Sequence, residues 1–159
     1  MVWFGDSTEG EKQLPPDQAP SFPMDGGGYK DFRRRLHEEI LRSQRCTHTF
    51  TLMRVNVDNV PENPPRGLQD ALKSAIREYD LLCALKPSEY FFAFPETNEK
   101  NAEVIANRIR TRLSNQRWSD ATLSLQANIG IACFPHDGTN TEDLLLSAEQ
   151  DLRHRPRTR

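Results

Sequence analysis

Between Asp31 and Leu152 the spacing of apolar residues switches repeatedly between a helical and a strand period, and that order restricts the folds open to the chain. Phe32, Leu36, Ile40 and Leu41 recur near helical spacing with charges on the other faces, which predicts a helix from Asp31 to about Arg42. Thr49 to Val57 is rich in Thr, Phe, Leu and Val and reads as a strand. Pro61, Pro64 and Pro65 then break the chain before a second helix, about Leu68 to Arg77. Asp80 to Leu85 and Tyr90 to Phe94 read as two short strands joined by Lys86-Pro87-Ser88-Glu89. Thr97 or Asn98 is placed to cap a helix whose apolar stripe is Ala102, Ile105, Ala106, Ile109 and Leu113. Alternation returns from Leu123 to Ile131, and Thr141 with Glu142 and Asp143 opens a last helix carrying Leu144, Leu145, Ala148 and Leu152. The order helix, βαββαβ, helix predicts an α+β sandwich of ferredoxin-like connectivity, with a mostly antiparallel sheet and helices on one face.

At 159 residues the chain is expected to hold one domain. Residues 1–28, with Pro15, Pro16, Pro20 and Pro23 followed by Gly26, Gly27 and Gly28, read as a flexible arm or linker. Residues 29–153 are the expected domain, and residues 154–159 a basic tail. A net charge of −2 gives no support for a dedicated nucleic-acid binder, although Arg33–Arg35 and Arg108, Arg110 and Arg112 form local basic runs. Nothing approaches the roughly 18 apolar residues that a membrane span needs. Cys46, Cys83 and Cys133 read as reduced thiols, the latter two in the core, of a cytoplasmic protein. His37, His48, His136 and His154 show no metal-ligand spacing, and no cofactor is expected.

Four landmarks then occur in order. Phe32-Arg33-Arg34-Arg35-Leu36 leads to Met53-Arg54-Val55-Asn56-Val57-Asp58, and Arg77-Glu78-Tyr79-Asp80 leads to the Lys86–Tyr90 hairpin. Ala106-Asn107-Arg108-Ile109-Arg110 follows, and then Asn128-Ile129-Gly130-Ile131-Ala132 with Asp137-Gly138 and Leu144 to Ala148. On these motifs the stretch from Asp31 to Leu152 resembles a GGDEF (diguanylate cyclase-like) domain.

The resemblance implies a GGDEF-type fold and a catalytically degenerate site. Members of the family join two GTP molecules into cyclic di-GMP, a phosphoryl transfer that needs carboxylates on a divalent metal. Against the family pattern, Asn56 stands at a metal-binding aspartate and Asp58 at the second one. Lys86 and Pro87 stand at the signature glycines, Ser88 at the middle acid and Glu89 at the remaining acid. A neutral Asn supplies no negative charge, and Pro87 removes an amide hydrogen where the family's backbone approaches phosphate. The base-reading passage is replaced by Pro61-Glu62-Asn63-Pro64-Pro65-Arg66, and the family's phosphate-contacting lysine falls around Pro156.

What the resemblance preserves is the inhibitory-type Arg-x-x-Asp element, Arg77 and Asp80, with Arg108 as a supporting arginine. In the family this element binds cyclic di-GMP, and a guanidinium fork suits phosphates and guanine edges. Asp80 would accept from guanine donors. The same pair also fits a local helix-end salt bridge. The expected function is therefore a non-catalytic cyclic di-GMP receptor; the alternative is a ligand-independent homodimerisation or protein-interaction module of the same fold.

Overall fold

A computed structural model of the chain describes residues 2–4 and 27–155. The elements are β1 (Val2–Phe4), α1 (Gly27–Cys46), β2 (Phe50–Asp58), α2 (Leu68–Lys73), β3 (Leu81–Lys86), β4 (Glu89–Pro95), α3 (Glu99–Asn115), β5 (Gln126–Phe134) and α4 (Thr141–His154). They build one five-stranded sheet in the order β1-β3-β4-β2-β5. Taken without β1, the four strands are antiparallel neighbours in the expected ferredoxin-like order.

The expectation of helices on one face is corrected. Strand side chains alternate between faces, and both faces of this sheet are apolar. Met53, Val55 and Val57 of β2 face a core shared with α2 and α3, whereas Phe50 and Leu52 of the same strand face Phe32, Leu36, Leu144 and Ala148 from α1 and α4. A sheet with two apolar faces needs a helical layer on each. Phe91, Phe92 and Phe94 are buried, divided between the two cores, as are Cys83 and Cys133. Burial pushes the Cys83 thiol up to about 12.

Several boundaries also move, among them the end of α1, at Cys46 and not Arg42, and the start of β5, at Gln126 and not Leu123. The arm expected over residues 1–28 is not wholly outside the sheet: Val2–Phe4 pairs in parallel with β3, Val2 opposite Leu82 and Phe4 opposite Ala84. Helix α1 also starts at Gly27, inside that span. Residues 5–26 and 156–159, Pro156 included, lie outside the described residues. At the other end, His154 completes α4, and Arg155 is fixed to Asp151 at 2.6 Å and Glu103 at 2.8 Å, so the expected tail is anchored at its start. Helix α2 ends at Lys73, four residues before the expected Arg77. Its last turn tightens, with Ala75 N–H on Leu72 O and Ile76 N–H on Lys73 O, and the Arg77 amide donates to a side chain instead.

The edges of the sheet are β1 and β5, and an edge strand's free amides are templates for further pairing unless something takes them. Beyond β3 lies β1; beyond β5, the amides of Ile131 and Cys133 donate to the carboxylates of Asp151 (2.7 Å) and Asp137 (2.8 Å). Caps follow the same accounting of unpaired amides. Asn98 caps α3 and Asn140 caps α4, each accepting from the amide of the residue three places on. Among the described helices, none is long and apolar enough to cross a membrane.

Gly130 sets how closely α4 sits on the sheet. A Cβ there would collide with the backbone oxygen of Ala148 and stand 2.6 Å from the amide nitrogen of Leu152. Both obstacles are helix backbone, so the helix must shift. Gly130→Ala is expected to cost about 1–3 kcal/mol, read as a lowered urea midpoint with unchanged slope.

Candidate functional site

The Arg77–Asp80 element lies between α2 and β3, where the chain must reverse into the sheet. Asp80 is fully buried, and a buried carboxylate requires partners. Arg77 supplies them: its amide donates to Oδ2 at 2.8 Å, its Nε to the same oxygen at 3.3 Å, and its Nη2 to Oδ1 at 3.1 Å. The Asp80 amide returns a bond to Arg77 O at 3.1 Å. The guanidinium also donates from Nη2 to Thr97 Oγ1 at 3.0 Å and to Pro95 O at 3.3 Å, and it lies 4.5 Å over the ring of Tyr79. Burial works against the Arg77 charge, but the bond and charge of Asp80 outweigh it and hold the group more firmly protonated.

Arg108 reaches the same turn from α3, where Nη1 donates to Ala75 O at 3.2 Å. Arg77 and Asp80 therefore share one turn, and Arg108 is tied to the segment just before it. Their exposure differs: Asp80 has no exposed surface and holds Arg77 in place, whereas the Arg77 side chain is 40% exposed. Of the two residues placed to cap α3, Asn98 does so, and Thr97 is buried and ties Arg77 to β4.

The remnant residues gather at the far ends of β2 and β4. Arg54, Asn56 and Asp58 alternate onto one face of β2, and Asn56 stands opposite Glu89 of β4. Arg54 Nη2 lies 3.2 Å from Glu89 Oε1, and Lys86 Nζ lies 3.5 Å from Oε2. Arg54 Nε also donates to Asn56 Oδ1 at 3.4 Å, and its guanidinium lies 4.8 Å over Phe91. Asp58 Oδ2 accepts from Asn128 at 2.8 Å. Arg54, Asn56, Asp58, Glu89 and Asn128 line a polar cleft of about 410 Å³ closed on its far side by α4 and Arg155.

The hairpin itself is closed by a phenol. Tyr90 is buried, its hydroxyl donates to Pro87 O at 2.6 Å, and Val57 N–H donates to Ser88 O at 2.8 Å. Burial raises the Tyr90 pKa, which keeps that donor protonated. Sequence reasoning missed Arg54. The signal was there: a charge at an inward position between Leu52 and Asn56 demands a buried partner. Tyr79 and Thr97 carried no comparable signal, because their positions against Arg77 come from folding.

The geometry has counterparts in known proteins. Residues 66–158, more than half of the chain, match the family described as "Diguanylate cyclase, GGDEF domain". The chain belongs to the GGDEF family. Its fold is similar to that of the GGDEF domain of YfiN (TpbB) from Pseudomonas aeruginosa, with a TM-score of 0.70, 20% identity, and coverage of 78% of this chain and 86% of that one. A similar likeness holds for the active GGEEF domain of a diguanylate cyclase from Vibrio cholerae, at a TM-score of 0.70 and 14% identity over 78% of this chain and 86% of that one. Diguanylate cyclase SiaD from P. aeruginosa, solved in complex with its activator SiaC, gives 0.67 and 24% over 78% of this chain and 52% of that one. At these identities the likeness is one of fold. A curated relative, the cyclic di-GMP phosphodiesterase NbdA of P. aeruginosa, is 23% identical over 82 residues, 51% of this chain and 10% of that protein. The GGDEF chain thus spans about a tenth of that relative's length and is related to proteins of cyclic di-GMP signalling.

Removing Arg77 would strand a buried carboxylate. Arg77→Ala is expected to lower stability by about 2–4 kcal/mol, with Arg77→Lys recovering much of it because the charge stays. Urea denaturation of the variants decides this; equal midpoints for wild type and Arg77→Ala would show that the turn does not depend on the pair.

Proposed function

We propose that this GGDEF domain is a non-catalytic receptor for cyclic di-GMP, gripping the nucleotide through Arg77 and Arg108. The observation that carries the reading is an exposed Arg77 pre-oriented by Asp80 and backed by Tyr79, with Arg108 of α3 tied to the chain just before it at Ala75. A held guanidinium loses less freedom on meeting a phosphate, which favours binding. Asp80 acts in this reading by positioning, not by touching the ligand. The family match supports the ligand class at the level of the pathway.

The non-catalytic part rests on the remnant cleft. A divalent cation needs several anionic or neutral oxygens free to turn toward it. Here Asn56 is neutral, and each oxygen of Glu89 already faces a protein cation, so the donor set does not fit such a metal. Pro87 and Lys86 occupy the hairpin where close backbone approach to a triphosphate would be needed. The three free cysteines favour placing the domain in the cytoplasm.

A second reading, a ligand-independent dimerisation or partner-docking module, is favoured by one observation. Tyr79 is 57% exposed beside a groove lined by Arg35, Glu39, Arg42 and Glu96, next to an Arg77 whose bonds are satisfied within the chain. The SiaD–SiaC complex is a precedent for partner binding by a protein that contains this fold.

Calorimetric titration with cyclic di-GMP separates the two. Saturable binding is expected, weakened at least about tenfold in Arg77→Lys and in Arg108→Ala, since each loses a charged hydrogen bond while the turn stays closed. Binding unchanged in both folded variants would remove the site assignment, and no binding by wild type would favour the docking module. Incubation with GTP and magnesium is expected to yield no cyclic di-GMP; product above a boiled control, detected by chromatography, would refute the non-catalytic reading.

A further inference from the structure

A charged residue at an inward strand position needs a reason. Arg54 points from β2 toward the same layer as Leu52, and its side chain is only 14% exposed. Its environment has three parts. A carboxylate oxygen of Glu89 lies at 3.2 Å, the side-chain oxygen of Asn56 at 3.4 Å, and the face of Phe91 at 4.8 Å. These ligands come from two strands, because Asn56 is paired with Glu89 and Arg54 with Phe91 across the β2–β4 ladder.

We propose that Arg54 is a resident cation, built into the strand, that takes one oxygen each of Asn56 and Glu89 in the remnant cluster and excludes divalent metal ions from it. This deepens the non-catalytic reading and rests on that part of it. The charge count supports the assignment. Arg54 and Lys86 offset Asp58 and Glu89, and Glu149, Arg153 and Arg155 on the rest of the cleft wall add no net negative charge, so nothing there calls for a further cation. A divalent ion entering it would leave two uncompensated positive charges in a half-buried cleft, where screening is weaker than in water. The guanidinium also holds itself there. Its planar fork meets two oxygens while its face rests on an aromatic ring, a combination a mobile hydrated ion cannot match.

The arrangement further explains why Asn56 is tolerated. An aspartate there would add a charge beside Glu89, directly opposite on the ladder, and like charges so placed repel. With Arg54 in place, a neutral amide accepts the Nε hydrogen and adds no charge. Substituting Asn56 alone therefore does not rebuild a metal site, because the resident cation still holds the oxygens.

Manganese titration of folded variants tests this, using calorimetry and electron paramagnetic resonance of free Mn²⁺. Wild type and Asn56→Asp are expected to show no saturable binding. The double variant Arg54→Met with Asn56→Asp is expected to bind with a dissociation constant of about 10⁻⁴–10⁻³ M, and Mn²⁺ should raise its melting temperature but not that of Asn56→Asp. If the methionine variant fails to fold, Arg54→Gln with Asn56→Asp carries the same comparison. Three outcomes overturn the proposal: binding by wild type, equal binding by Asn56→Asp and the double variant, or no binding by a folded double variant. Failure of cyclic di-GMP binding at Arg77 would leave these outcomes unchanged, so the two readings fail separately.

Discussion

The central position of β2 imposes the constraint on which the rest of the structure depends. It is hydrogen-bonded on both edges, to β4 and β5, and packed on both faces. No backbone group along its paired length can turn to water, and each side chain must suit one of two apolar layers. The helices are placed accordingly, α1 and α4 on one layer and α2 and α3 on the other. The close seat of α4 at Gly130, opposite Arg54 on β2, belongs to the same requirement.

Where β2 leaves the apolar layers its inward positions turn polar, and the consequences are electrostatic. Arg54, Asn56 and Asp58 share a face with Glu89, in a cleft too sheltered for unpaired charge. Their hydrogen bonds and ion pairs bring cation to anion within the chain, leaving a closed polar cluster. The hairpin next to it is closed in the same self-sufficient way, by the Tyr90 hydroxyl on Pro87.

At the opposite end of the sheet, the chain reversal before β3 is solved with a buried carboxylate. Asp80 takes the amide and the guanidinium of Arg77, and in doing so it fixes where that guanidinium lies. A residue that stabilises a turn thus also fixes an exposed cation, and Arg108 of α3 is tied to the segment just before that turn. The bond that closes the turn is also the bond that orients the arginine.

The element order, the four long strands, the apolar stripes and the place of Arg77, Asp80 and Arg108 were determined by the sequence itself. They follow from local periodicity, turn residues and short motifs, which act over a few positions along the chain. Helix α2 was read too long because the Arg77 amide is claimed by a side chain that periodicity does not see. Only the tertiary structure decided that helices cover both faces, that Val2–Phe4 joins β3, that Asp80 is buried, and that Arg54 meets a carboxylate 35 residues away. Each of these is a pairing between distant segments. Such pairings depend on strand register and on which layer a side chain enters, and both are fixed only when the whole sheet assembles.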